Sequence, residues 1–464
     1  MRIEKDTLGE VKLPDGVYYG AQTKRAMDNF PVSGLRLPRR FIKAQGTVKL
    51  AAARANGSLG LLGKKMLKAI EKASLEVIHG KHDDQFVVDV YQAGAGTSQN
   101  MNANEVIANR AEELLGGGRG DYRFVHPNDH VNMAQSTNDT IPTCIYMSSF
   151  EAVRDDLVPA LKTLKSTLMT KSGDFDKIVK AGRTHLQDAV PIRLGQEFSG
   201  YTVSVHNDLL RLQNASKSLL KLPIGGNALG TGINAHPRFR KCVIDEIRKI
   251  TGIDFGGCKN LFEGIQNVYP ALELSASLRG TAVTITKIAN DIRLLGSGPR
   301  TGLAEIRLPA VQPGSSIMPG KVNPAMAEML NMVCFQVLGN DTAVTYAVQA
   351  SQLDLNVMMP MIAHNLLFSI EILSNGINAF TYKCVNGLEA DVQKCNYYAD
   401  ATLAMATALN PIVGYSSAAE VSKEAYKSGK SVKQVTVERG ILSKSEANRV
   451  LDPLRLTGKQ GQMN

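Results

Sequence analysis

Between Glu328 and Asp341 the chain carries no charge, and the same holds between Asp341 and Asp354. A helix that is apolar on most of its faces cannot sit against water, so this stretch must pack helix against helix in a large bundle, and across subunits. A membrane span is the competing reading, and neighbouring residues oppose it. The least charged segment, Leu355 to Ile370, is broken by Asn356, Pro360, His364 and Asn365, and no run approaches the roughly 18 apolar residues a span needs. Upstream, "DDLVPALKTLKSTLMTKSGDF" sets Leu157, Leu161, Leu164 and Leu168 on one stripe at steps of three and four. "LELSASLRGTAVTITKIANDIRLL" keeps only Glu273, Arg279, Lys287, Asp291 and Arg293 as charges over some six turns. Alternating strand patterns are almost missing. The expected class is therefore all-α, with an elongated central helical bundle over 138–393. Smaller N-terminal (1–137) and C-terminal (394–464) domains are expected at its ends.

Composition narrows the function classes. A chain of 464 residues is long enough for two or three domains and a large core. Its six cysteines lie far apart with no C-x-x-C pair, and its eight histidines show no H-E-x-x-H spacing. Scattered, reduced core thiols in a cytoplasmic protein are expected, without a metal site or a disulfide framework. The opening "MRIEKDTLGE" is charged and has no apolar h-region, so no secretory signal is expected. The net charge of +10 invites a nucleic-acid reading, but the basic residues are dispersed in short groups such as "LPRRFIK", and Trp is absent. Neither a nucleic-acid nor a membrane partner is expected. A positive field also attracts dicarboxylates, which is a weaker inference.

Four stretches crowd polar residues where a core would not place them: "GAGTSQNMNANE" (94–105), "NMAQSTNDTIPT" (132–143), "AGRTHLQDAVPIRLGQE" (181–197) and "GSSIMPGKVNP" (314–324), the last followed by Glu328. Each also has a plain structural reading. Ser136, Thr137 and Asn138 could simply start a helix. His185 could be a satisfied structural group. A Gly-Ser-Ser loop could cap a helix or bind an anion at its N-terminus. The glycine patches "LGGGRG" and "GGNALGTG" fit neither a Walker nor a dinucleotide pattern and read as turns.

Taken together, the four stretches carry a resemblance. "GSSIMPGKVNP" resembles the signature of the fumarase/aspartase superfamily, and the other three resemble that family's remaining regions, in order and at the expected separations, over about residues 2–453. The resemblance implies elimination of a group β to a carboxylate, leaving fumarate, without a cofactor. It implies Ser315 as the base, with Ser316 beside it as the alternative, and Lys321 and Asn323 as grips on the carboxylate where charge develops. A free hydroxyl is a poor base, so the loop must close, exclude water and stabilise the alkoxide. Gly314 and Gly320 would let it move, and Pro319 would limit its shapes. Thr97, Ser136, Thr137, Asn138 and Thr184 match residues binding carboxylates and leaving group, and His185 matches a histidine paired with a glutamate corresponding to Glu328. The family builds each site from three subunits of a homotetramer, and the apolar central helices suit that assembly.

The leaving group rests on smaller matches. "VYYGAQTKRAMDNFPVSG", "THLQDAVPIRLGQEF", "GPRTGLAEIRLPAVQPGSSIMPGKVNP" and "SQLDLNVM" resemble the family's aspartate ammonia-lyases. "HPNDHVN", which resembles a fumarase loop with a second anion site, "LPIGGNALGTGINAHPRF" and "MIAHNLLFSIEIL" resemble its class II fumarases, and Met359 stands where ammonia-lyases tend to carry a glutamate. Argininosuccinate and adenylosuccinate lyases share the fold, but "KVNP" does not fit their signature loops. The motifs as a set imply release of ammonia from L-aspartate, with malate dehydration as the alternative. A catalytically inactive structural or binding relative is the remote third reading; it would be free to lose a site residue, and none is missing here.

Overall fold

The computed structural model describes residues 1–458, so the last part of the expected C-terminal domain, 459–464, lies outside the described residues. The chain opens with a hairpin of β1 (Arg2–Asp6) and β2 (Gly9–Leu13), then α1 (Ala21–Asn29), α2 (Arg39–Ser58), α3 (Lys64–Ile78), α4 (Thr97–Leu114) and α5 (Thr137–Ala152). Next come α6 (Val158–Asp174), a hairpin of β3 (Val179–Thr184) and β4 (Gln187–Arg193), α7 (Leu194–Ser216), β5 (Lys221–Leu222), α8 (Phe239–Thr251), β6 (Gly256–Gly257) and α9 (Leu261–Gln266). α10 (Tyr269–Leu295), β7 (Ile306–Arg307), α11 (Ala325–Gln349), α12 (Met359–Phe380) and β8 (Glu389–Ala390) follow. The chain closes with α13 (Val392–Ala401), α14 (Asn410–Ser428), α15 (Val432–Glu438) and α16 (Lys444–Val450). The described sheets have two strands each, antiparallel except for the short parallel pair β5–β6. The expected all-α class is what the chain adopts.

The chain forms two compact units. One comprises Met1–Pro159, Leu210–Ala282 and Phe335–Leu373; the other comprises Ala160–Leu209, Val283–Cys334 and the chain from Ser374. In the first, α2 is buried along most of its length, because Ala51, Ala52, Ala53 and Ala55 let neighbours approach on several sides. Its core continues through Ile70, Ala73 and Val77 of α3 and Ala103, Val106 and Ile107 of α4. In the second, Phe175, Phe198 and Tyr201 stack edge to face at 5.3 and 5.4 Å. A separate cluster there joins Met405, Leu409, Val421, Val435 and Leu451.

The leucine stripe is fully buried at all four positions. α11 buries one face within the single chain and leaves another open. Leu330, Cys334, Val337 and Val344 are buried, whereas Met332, Phe335 and Tyr346, at steps that share another face, are 66%, 56% and 66% exposed in the single chain. Asp341, the one charge of that stretch, is buried and satisfied: Ser275 Oγ donates to it at 2.7 Å and Arg279 at 2.9 Å. No helix among the described residues is long and apolar enough to cross a membrane.

Candidate active site

In the first unit the polar stretches become two helix starts. Gly94 to Gly96 form a 3₁₀ turn with Ala95 at φ 61° and Gly96 at φ 86°, and Thr97 is the first residue of α4. Thr97 is exposed, and its hydroxyl donates to the Gly94 carbonyl at 3.3 Å. Ser136 is the N-cap of α5: its hydroxyl accepts from the Asn138 N–H at 3.2 Å, and Asp139 Oδ1 accepts from the Ser136 N–H at 3.0 Å. The plain reading of Ser136, Thr137 and Asn138 as a helix start is thus correct, and it leaves the functional one open.

Asp139 does more than cap. Its second oxygen accepts from the N–H groups of Gly225 and Asn227 at 3.0 and 2.8 Å, and Asn138 Nδ2 donates to the Ala228 carbonyl at 2.8 Å. The patch "GGNALG" is therefore a turn, but one fastened to the start of α5. Complete burial raises the Asp139 carboxyl to about 7, against the backbone bonds that favour its charged form. The loop "HPNDHVN" folds as a π-helical turn over Pro127–Val131, with His126 Nδ1 accepting from the N–H groups of Asn128 and Asp129 at 3.3 Å each. Met359, in the first turn of α12, is fully buried.

In the second unit Thr184 and His185 sit at the tip of the β3–β4 hairpin, a feature the strand-poor sequence gives no warning of. His185 and Leu186 have φ of 56° and 57°, as a two-residue type I′ turn requires, and Thr184 pairs with Gln187. His is among the residues that tolerate this left-handed region, whereas Leu seldom adopts it. Glu305, with no exposed surface, accepts from Arg183 at 2.9 Å and lies 3.2 Å from Lys180, which also reaches Glu197 at 2.8 Å.

The "GSSIMPGKVNP" loop is a closed, self-bonded turn. The Gly314 N–H donates to the Lys321 carbonyl at 2.8 Å, and Asn323 Nδ2 donates back to the Gly314 carbonyl at 2.7 Å. A Cβ on Gly314 would lie 2.5 Å from the Lys321 oxygen and 2.7 Å from the Asn323 nitrogen, so only glycine permits this clasp. Pro319 and Gly320 (φ 77°) form a turn closed by the Lys321 N–H on the Met318 carbonyl at 3.3 Å. Lys321 Nζ donates to Asn323 Oδ1 at 2.7 Å. Ser315 Oγ accepts two backbone N–H groups, from Ile317 at 3.2 Å and Met318 at 2.9 Å. Ser316, exposed beside it, makes no such bond among the described residues.

Ser315, Met318 and Lys321 border an open pocket of about 510 Å³. Lys321 and Asn323 also border a second, of about 730 Å³, with Arg293 and Arg307. Glu328 stands in the first turn of α11. Among the described residues, the side chains of Thr184, His185 and Glu328 form no hydrogen bond or ion pair, so His185 and Glu328 are not bonded to each other within one chain. Nor do three or more His, Cys, Asp or Glu side chains there group as a metal site would need.

Sequence reasoning missed Lys49 of α2. It is 1% exposed, with Nζ donating to Asn100 Oδ1 at 2.8 Å and to Asn132 Oδ1 and Gln135 Oε1 at 3.0 Å each. It also missed Glu305. Neither lies in the polar stretches that drew attention, and a buried charge shows itself only through partners remote in sequence.

Known proteins resemble this chain over nearly its whole length. The family profile described as "Lyase" matches residues 9–339, and "Fumarase C C-terminus" matches 405–458. The class II fumarate hydratase of Halobacterium salinarum is 51% identical over 457 residues, covering 98% of this chain and 97% of its own. The aspartate ammonia-lyase of Bacillus subtilis is 46% identical over 456 residues, covering 98% and 96%. Among solved structures, the class II fumarase from Schistosoma mansoni superposes with a TM-score of 0.96 at 36% identity, over 99% of this chain and all of its own. These matches span the helix starts, the hairpin tip and the signature loop alike, and the chain belongs to this lyase family, the fumarase/aspartase superfamily.

Proposed function

We propose that the chain is an aspartate ammonia-lyase, converting L-aspartate reversibly to fumarate and ammonia with Ser315 as base. The observation that carries this reading is the pair of backbone N–H groups on Ser315 Oγ, which Ser316 lacks. Two donors aimed at one hydroxyl oxygen lower the cost of its alkoxide, most strongly once the loop excludes water. The alkoxide removes a proton from the substrate carbon next to the β-carboxylate. The electron pair moves into that carboxylate as an aci-anion, held by Lys321, Asn323 and nearby N–H groups. It then returns to form the C=C bond as the C–N bond breaks and the amine leaves. Thr97, Ser136, Thr137, Asn138 and Thr184 offer neutral donors that hold a dianion without binding it so tightly that release stalls.

His185 and Glu328 form the leaving-group pair between two subunits of a homotetramer whose sites draw on three chains. Two features support this: neither side chain has a partner among the described residues of its own chain, and α11 leaves Met332, Phe335 and Tyr346 exposed on one face. The choice of ammonia rests on the N-terminal, "THLQDAVPIRLGQEF" and "SQLDLNVM" motifs.

A second reading, class II fumarate hydratase, is favoured by one position. Met359 is apolar and fully buried where ammonia-lyases tend to carry an acid that could face an ammonium. The relative at 51% identity also bears the hydratase name. The deciding experiment follows fumarate absorbance from L-aspartate and, separately, from L-malate, with ammonia measured in parallel. Aspartate turnover with equimolar ammonia is expected. Malate turnover alone transfers the assignment to the hydratase, and turnover of neither favours the inactive relative.

A further inference from the structure

Lys49 is the most deeply buried cation of the first unit, and no carboxylate lies within 4 Å of its ammonium among the described residues. Its three N–H donors are spent on three side-chain carbonyls, one from Asn100 in the first turn of α4 and two from Asn132 and Gln135, just ahead of the α5 cap. The knot is wider still. Asn132 Oδ1 also accepts from Asn100 Nδ2 at 3.2 Å and Asn104 Nδ2 at 3.1 Å, and Thr140 of α5 donates to Asn100 Oδ1 at 3.3 Å. The nearby Asp139 has its oxygens committed to the N–H groups of Ser136, Gly225 and Asn227. Burial lowers the Lys49 ammonium to about 7, and the nearby Asp139 opposes that shift.

A buried charge hydrogen-bonded only to neutral dipoles is expensive for folding, since a hydrophobic residue of similar length would avoid the desolvation cost. Helix N-termini already present positive partial charge and free N–H groups. A monopole behind two of them adds to that potential with the same sign, in a medium of low dielectric.

Resting on the dicarboxylate reading above, we propose that Lys49 is a positioning residue of the substrate site: it ties the first turn of α4 to the cap of α5 and supplies the positive charge behind them. It touches no reacting atom. Its effect falls on affinity for the dianion, with little on the chemical step.

The test is calorimetric binding of succinate, a four-carbon dicarboxylate that cannot eliminate, to the intact protein, together with KM and kcat on the active substrate. Lys49→Met is expected to weaken succinate and raise KM by about tenfold, roughly 1.4 kcal/mol, with kcat within about threefold. Asn132→Asp keeps an oxygen where Asn132 Oδ1 accepted and cancels the charge, at the loss of the Asn132 Nδ2 bond to the Gln135 carbonyl at 3.2 Å. It should weaken succinate by about fivefold in a protein that still folds, with kcat within about threefold, and the loss should shrink as salt screens the charge, which a purely structural lysine would not do. Wild-type affinity in folded Asn132→Asp overturns the electrostatic role; if Lys49→Met does not fold, this variant alone decides. A wild-type protein that binds succinate but eliminates from neither aspartate nor malate sinks the proposed activity and leaves this inference standing. One that binds no succinate removes both.

Discussion

The two regions that carry the candidate site are built in opposite ways. Around the starts of α4 and α5, the polar groups are buried and bonded to residues 51, 83, 86, 88 and 90 positions away in sequence. In the signature loop, side-chain bonds reach no further than the nine residues from Asn323 to Gly314. Opening the first region would break a network shared by several helices, whereas the second can move as a piece with its own bonds intact. Segments with few buried, non-local contacts are the ones that open locally. On the proposed function, the contrast suits recognition by a fixed surface and proton transfer by a segment free to move.

Four substitutions can break or sharpen that contrast. The largest effect belongs to Ser315→Ala, expected to lower kcat by about 10³-fold, since a positioned base is worth roughly 10² to 10⁴. Its melting curve should match wild type. Near-normal elimination by a folded variant would move the base to Ser316.

Gly314→Ala comes next, because its methyl would collide with the Lys321 oxygen and the Asn323 nitrogen. A displaced clasp should reduce kcat by roughly 10- to 100-fold, again with little change in melting, as the loop holds no core residue. A fall in melting temperature of many degrees would show that the loop is more deeply tied to the fold than its bonds suggest.

The third variant tests the fixed region away from chemistry. Hydrogen bonds from Arg110 hold the Glu76 carboxyl well below its ordinary range, at about 2 instead of 4.5, with His82 assisting and burial opposing. A depressed folded-state value means stability that is present above pH 4.5 and lost as pH falls towards 2. Glu76→Gln should therefore cost about 2 kcal/mol at neutral pH, allowing for its partly solvated setting. The deficit, read by denaturant titration, should vanish below that window, and turnover should not change.

The smallest effect is that of Ser136→Ala, at about 1 kcal/mol of stability for a lost N-cap. If Ser136 also grips substrate, KM should rise several-fold with kcat nearly constant. An unchanged KM would reduce it to a cap.

How much of this was legible in the sequence depended on how local the cause was. The Leu157–Leu168 stripe and the uncharged run after Glu328 announced helices, because periodicity and the absence of charge are visible in any short window. The loop was legible too, since Gly314, Pro319 and Gly320 constrain their own backbone. The β3–β4 hairpin was not: its turn residues, His185 and Leu186, lack the usual Asn-Gly chemistry. A remote tie beside the turn is Glu305, which accepts from Arg183 122 positions away. Lys49 was equally hidden, reading as one more charge in "GTVKLAAARAN". The exposed face of α11 marks where a one-chain reading of burial stops.

The α5 cap also gives the site a direction. Because Ser136 Oγ accepts from the Asn138 N–H, one of its lone pairs is committed inward and its own proton is left to give. Thr97 is wired the other way: its proton is turned back onto the Gly94 carbonyl, at a long 3.3 Å. To meet a carboxylate, Ser136 need only stay as it is, while Thr97 must rotate and give up a weak bond. One hydroxyl is thus free to donate at rest and the other already committed, and if both meet a dianion as proposed, Ser136 does so without rearrangement.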